Sequence, residues 1–125
     1  DTMRSIWAND RDERFVGFPR PAKQPPIIVG VNSMALAVRS VQMADGVNTR
    51  FNHPERAAFF AAAREASGNR PDFDVSVWSW FEPEYADADH PFHQELAADG
   101  VTRLIMFQRG APDVAAITAT AKYLR

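Results

Sequence analysis

The sequence predicts an α/β fold in which parallel strands alternate with helices, and three observations lead there. The run Ile27-Ile28-Val29-Gly30-Val31 is apolar on both faces, as in a parallel strand covered by helices. It passes through Asn32 and Ser33 into an amphipathic segment that closes on Ala44, Asp45 and Gly46. That order is strand, turn, helix and second strand. The same pattern returns along the chain until it has been written four times, and strands spaced by helices of this length pair in parallel through right-handed crossovers. The repeat is one of pattern; no stretch of sequence recurs.

Residues 1–24 read as a lead-in. Met3 to Asn9 is a short helical pattern with Met3, Ile6 and Trp7 on one side, and Asn9 to Arg14 is a charged connection. Phe15 to Phe18 is a brief extended piece, after which Pro19, Pro21, Pro25 and Pro26 forbid helix across a rigid linker. Residues 25–125 carry the four strand–helix units of a single domain. The first strand is Ile27 to Val31, with Asn32 or Ser33 as N-cap. In the helix from Ser33 to Ala44, the spacing makes Met34, Val38, Val41 and Ala44 the inner face. Gly46 to Asn48 is a second, very short strand. Pro54 suits the first turn of the next helix, Ala57 to Ala66, which carries Phe59 and Phe60 and ends at Gly68. Phe73 to Phe81 alternates: Phe73, Val75, Val77 and Phe81 face one way, Ser76, Trp78 and Trp80 the other. An acidic loop, Glu82 to Asp89, follows. Asp89 and Pro91 open a short helix bearing Phe92 and Leu96 and stopped by Gly100. Thr102 to Phe107 is the fourth strand, and Val114, Ile117, Ala121 and Leu124 are the inner face of the last helix.

Composition narrows the function classes. At 125 residues the chain has room for one real core and not two. Fourteen basic and sixteen acidic side chains give a formal charge of -2, with the basic residues scattered, so no field exists to attract nucleic acid. The absence of cysteine excludes thiol catalysis, thiolate-bound metal and disulfides. No apolar run approaches the ~20 residues of a membrane span, and no charged-then-apolar leader opens the chain. A cytoplasmic protein without a membrane partner is expected. The chain starts at Asp1 with no initiator Met, as expected of a processed chain or a piece of a longer one.

Taken in order, Pro25 to Ser33 (PPIIVGVNS), a helix, and Ala44 to Asn48 (ADGVN) resemble the second half of luciferase-like monooxygenases. These use flavin mononucleotide (FMN) or the deazaflavin coenzyme F-420. The Phe73–Phe81 strand and Ala98 to Ile105 (ADGVTRLI) agree, so the similarity covers nearly the whole chain. The resemblance implies strands five to eight of a TIM (β/α)8 barrel, its C-terminal half. A full barrel takes ~250 residues. The family's residues near the reacting carbon of the cofactor lie largely in the other half, so no catalytic residue is assigned here. Val47, where many relatives carry Trp, and the strand sequence VSVW look closer to the deazaflavin branch.

Read from the residues alone, the turn after Ile27–Val31 is either a plain strand-to-helix turn with an N-cap or an anion site. Free N–H groups and the positive end of a helix dipole converge there, Gly30 lets the backbone approach, and Ser33 offers a hydroxyl. The resemblance implies that Gly30, Val31, Ser33 and Met34 line the cofactor's ribityl-phosphate arm, although the family often has a second glycine where Val31 stands. Asp45-Gly46 reads as a structural turn in which glycine supplies an unusual backbone angle. Asn48, Thr49 and Arg50 follow the short strand and are expected on the active-site face. There Arg50 meets either an anionic group or solvent. Trp80, near its strand's C-terminal end, either walls a substrate pocket or fills core. His90 and His93 stand three apart beside acidic residues, a spacing that is metal-free far more often than not, and no metal site is assigned. No His-Glu-x-x-His, nucleophile elbow, phosphate-loop lysine or dinucleotide glycine motif is present.

The expected function is that of a fragment of an F-420-dependent luciferase-like oxidoreductase acting on a small molecule, with FMN as the alternative cofactor. A different class is a non-catalytic half-barrel that serves binding or assembly. Half a barrel exposes two strand edges and an apolar face, so it should pair with its missing N-terminal half or with a second copy as a homo-oligomer. An unrelated small α/β domain is the third reading.

Overall fold

The computed structural model describes residues 22–87 and 89–110, together with Met3, Arg4, Trp7, Val114, Ala115 and Thr118, all in helical conformation. The Asn9–Arg14 connection, the Phe15–Phe18 piece and most of the first and last helices expected from the sequence lie outside the described residues. Val114, expected on an inner face, is 80% exposed.

Four strands, β1 (Ile28–Gly30), β2 (Gly46–Arg50), β3 (Asp74–Trp80) and β4 (Arg103–Phe107), form one parallel sheet in chain order. Three helices connect them: α1 (Met34–Ser40), α2 (Arg56–Ala66) and α3 (Pro91–Ala98). A short 3-10 turn, Pro83–Ala86, lies between β3 and α3. None of the helices among the described residues is long and apolar enough to cross a membrane.

The register divides the side chains between two faces, because neighbours along a strand point to opposite sides. The rows Val29–Val47–Val75 and Thr49–Val77–Leu104 face one way. Against them pack Ala37 of α1, Phe59, Phe60 and Ala63 of α2, and Phe92 and Leu96 of α3, in one buried cluster. Connecting helices that all cross in the same sense between sequential neighbours must lie on one side of the sheet. The other face, carrying Asn48, Ser76, Trp78, Trp80, Ile105 and Phe107, has no helix over it among the described residues.

The inner face of α1 is Ala37 and Ser40, and just past the helix Val41 is half-buried and Ala44 buried; Met34 and Val38 are more than 40% exposed. Val41 and Ala44 lie inward as the spacing predicts, whereas Met34 and Val38 do not, which corrects that part of the expected stripe. The helix turns its smallest side chains toward α2, against which it packs, and the Ser40 hydroxyl is satisfied by donating to the Leu36 carbonyl at 2.6 Å. Small residues let the two helix backbones approach, whereas Met34 and Val38 would hold them apart. Helix ends follow the expected chemistry. Gly68 and Gly100 have positive φ just past α2 and α3, and the Val101 N–H closes on the Leu96 carbonyl at 3.0 Å. Pro91 stands in the first turn of α3, but its N-cap is His90, whose ring accepts from the Phe92 N–H, and not Asp89. Pro54 precedes α2, which starts at Arg56.

Gly46 serves a different purpose from the one its motif suggests. Its φ is not positive. A Cβ there would run into the Asp74 carbonyl oxygen and lie 2.7 Å from the Asp74 Cβ, so glycine is required by the close approach of β3. Replacing Gly46 with Ala forces the two strands apart. It should cost about 1–3 kcal/mol, the range for overpacking a well-filled site, measurable by urea unfolding.

Asp45 ties the N-terminal ends of the strands together. Its carboxylate accepts from the Ile27 N–H at 2.8 Å and from Arg4 at 2.7 Å, while its own N–H and carbonyl bond to Ile27 and Asp74. Burial pushes the carboxyl upward, but the Ile27 N–H, the Arg4 guanidinium and the charge of Arg70 outweigh it, and the pKa falls below its ordinary value. A carboxylate depressed in the folded state stabilises above its unfolded pKa, ~3.9, and loses that contribution as pH falls through the folded value. Asp45→Asn should therefore lower the midpoint of thermal unfolding at pH 7, with the deficit shrinking below pH 4.

Candidate functional site

The C-terminal ends of the strands are where parallel α/β sheets hold their ligands. At that end the rows Arg50–Trp78–Ile105 and Trp80–Phe107 bring long side chains onto the bare face. Trp78, Trp80 and Phe107 meet edge to face, with ring centroids 5.8–6.3 Å apart. Such contacts let the rings support one another without a second layer beneath them. Trp80 and Phe107 nevertheless remain 45% and 47% exposed. With Asn48 and Ile105 they line an open, almost wholly apolar hollow of about 400 Å³.

Beside it, above the strand ends, lies a more enclosed pocket of about 360 Å³. Arg50, Phe51 and Asn52 form one side and Trp78, Ser79 and Trp80 the other, with Glu82, Tyr85 and Arg109 at the rim. Its floor is fixed by backbone bonds that continue the ladder past the strands: Phe51 N–H to the Trp78 carbonyl and Phe81 N–H to the Phe107 carbonyl, both 2.8 Å. Deeper on the bare face, Asn48 donates to the Ser76 hydroxyl at 2.9 Å, and Ser76 donates to the Val47 carbonyl at 3.2 Å.

A buried arginine holds the loop after β2. Arg56, at the start of α2 and 6% exposed, donates to the Phe51 carbonyl, to Asp99 at 2.6 Å and to Glu95 at 2.5 Å. Its guanidinium also lies 4.7 Å from the centre of the Phe51 ring. Burial works against its charge, but the two carboxylates more than compensate and its pKa is raised. One side chain thus joins the end of β2, the start of α2 and the last turns of α3. On the opposite rim Tyr85 stacks on Phe92, centroids 4.0 Å apart, and His93 donates to the Tyr85 carbonyl at 2.7 Å. His90 and His93 are therefore engaged in holding the acidic loop.

The charges in the pocket are unevenly matched. Arg109 bonds to Glu82 at 3.1 Å and lies 5.7 Å from the Trp80 ring centre. The Arg50 guanidinium has no hydrogen-bond or ion-pair partner among the described residues. Burial, and then the charges of Glu82 and Glu84, push the Tyr85 phenol above its ordinary pKa, so it stays a donor at neutral pH.

Of the residues singled out in the sequence, Asn48, Arg50 and Trp80 share the bare face. Thr49 does not. Because β2 runs on to Arg50, alternation turns Thr49 to the helix side, where it is buried beside Val77, and this corrects its expected place. Gly30, Val31, Ser33 and Met34 follow β1, and none of them lines either cavity. Apart from its chain neighbours, no atom of the described residues lies within 4 Å of where a Gly30 Cβ would stand, so these residues leave open space over that backbone. Ser33 caps α1, accepting from the Leu36 N–H at 3.4 Å while keeping its own hydrogen to donate. Val31 is buried and its N–H is committed to the Asn48 carbonyl at 2.7 Å. Met34 is exposed. Arg56, Tyr85 and Arg109 escaped the sequence reading. Only Arg56 had a signal, in Glu95 and Asp99 four apart on one helix face.

No protein-family model matches the chain, and no curated protein or solved structure matches it.

Breaking a buried ion pair by removing one partner typically costs about 3–5 kcal/mol, and Arg56→Ala should fall in that range in urea unfolding. The same substitution should release the Phe51 carbonyl and speed amide exchange at Phe51 and Asn52, read by hydrogen–deuterium exchange.

Proposed function

We propose that this chain is the C-terminal half of a luciferase-like (β/α)8 barrel, and that the whole protein is an F-420-dependent oxidoreductase acting on a small molecule. The observation that carries the reading is the bare sheet face. Four parallel strands in chain order, with the connecting helices among the described residues on one side, are consistent with half of a closed barrel, in which the uncovered face becomes the lumen. Trp78, Trp80 and Phe107 would then be lumen residues at the ligand-binding end, and both edge strands, β1 and β4, would pair with the other half.

The residues after β1 suit the phosphate arm of the cofactor. Gly30 gives room, the Ser33 hydroxyl can donate, and the N–H groups of Met34 and Ala35 have no intrahelical acceptor, while that of Leu36 is taken by Ser33. Val31 would support the turn from below through its buried side chain. When bound, the deazaflavin supplies the hydride chemistry. This half of the protein orients and shields: Asn48, Arg50 and Trp80 present polar, cationic and aromatic surface to the substrate, and the aromatic trio keeps water from the lumen. FMN carries the same arm, so these residues serve either cofactor.

A second reading, a half-barrel acting as an assembly module, is favoured by the same exposed face and edges. One experiment separates the two. Expressed from its complete reading frame, the protein should oxidise or reduce a substrate panel with F-420, and not with FMN, in a spectrophotometric hydride-transfer assay. Transfer with FMN alone would move the assignment to the flavin branch. No transfer with either, from a protein that assembles as a closed dimer of half-barrels, would establish the module.

A further inference from the structure

We propose that the pocket at the ends of β2 and β3 takes a planar aromatic carboxylate, with its ring against Trp78 and Trp80 and its carboxylate on Arg50. This rests on the reading of Arg50 and Trp80 as substrate residues and adds the chemical class. Size, shape and charge each point the same way. A volume of about 360 Å³ lies within the ~300–1,000 Å³ of small-molecule sites. Trp78 and Trp80 line it with their planes 89° apart, so a planar ring can lie on one and meet the other edge to face.

Charge then selects the head group. Two arginines face one glutamate across the pocket, and the glutamate is taken by Arg109. Arg109 is spent on Glu82 and on the Trp80 ring, so it closes the aromatic wall. Among the described residues Arg50 is left as a single guanidinium without a carboxylate partner. Its backbone is held rigidly, because the next residue is bonded to β3 through its N–H and to Arg56 through its carbonyl. A guanidinium fork matches a carboxylate in shape, two N–H groups to two oxygens. One positive charge balances a monoanion. A phosphate monoester, nearly dianionic, would stay half-neutralised beside Glu82. Tyr85, at the rim and protonated, offers a neutral donor to the same oxygens.

The test uses the 125-residue chain, without cofactor, and reads quenching of tryptophan fluorescence by 2-naphthoate, with 2-naphthamide as the uncharged twin. Naphthoate should bind at least tenfold tighter than the amide, and 0.5 M salt should narrow the gap. Arg50→Gln should remove the preference and leave amide binding within twofold, and Trp80→Leu should weaken both ligands. Equal binding of acid and amide by the unaltered chain, or no binding of either, overturns the proposal without needing any variant to fold. An unchanged preference in a folded Arg50→Gln chain overturns it too. Because no cofactor is present, failure here leaves the hydride-transfer assay to judge the oxidoreductase reading. Failure of that assay with naphthoate binding intact would sink only that reading.

Discussion

Consecutive parallel pairing is the constraint on which this structure depends. A strand that pairs in parallel with its immediate predecessor must be reached by a crossover, and crossovers of one hand stack every helix on the same side. Once β1 to β4 pair in order, the division of side chains follows. Valine rows meet Phe59, Phe60, Phe73, Phe92 and Leu96 in a closed core, and among the described residues the alternate rows have no layer over them. A parallel sheet is ordinarily buried on both faces. The bare face is thus a consequence of strand order, and its aromatic surface is what an unfilled second layer would require.

The polar residues of the fold act at its two ends. At the N-terminal end Asp45 gathers Ile27, Arg4 and, through its backbone, Asp74, while Gly46 lets β3 come close. Arg103 and Asp74 pair there at 2.6 Å. At the C-terminal end Arg56 draws Phe51, Glu95 and Asp99 together. The first end is a clasp in which Asp45 is paired with Arg4 and Asp74 with Arg103. The second is closed below, by Arg56, and open above, where Arg50 is unpaired among the described residues and the tryptophans are half-exposed. The two ends of the sheet therefore differ in how far their charges are paired among the described residues.

Much of this was legible in the order of residues. Alternation from Phe73 to Phe81 separated Val75 and Val77 from Trp78 and Trp80, and the register places them on opposite faces. The glycines after α2 and α3 and the proline opening α3 mark helix limits through backbone angles that their own chemistry dictates. Reading failed where a choice depended on a neighbour. Helix α1 has two plausible faces one residue apart, and the approach of α2 selects the one made of Ala37 and Ser40. Gly46 looks like a turn residue until β3 is seen against it. Thr49 changes sides because β2 is longer than its apolar core suggests.

What the sequence by itself determined is the class of fold and the alternation of its elements, because hydrophobic period and turn chemistry are local properties. The tertiary structure alone decided that Arg56 is buried and, among the described residues, which face stays bare and that Arg50 reaches a pocket edge without a partner. Those facts arise from residues far apart in the chain: Arg56 from Glu95 and Asp99, and the pocket from Arg50, Trp80 and Arg109. A guanidinium reads the same in a sequence whether it is neutralised or free. Only the positions of carboxylates brought in from elsewhere in the fold tell the two apart.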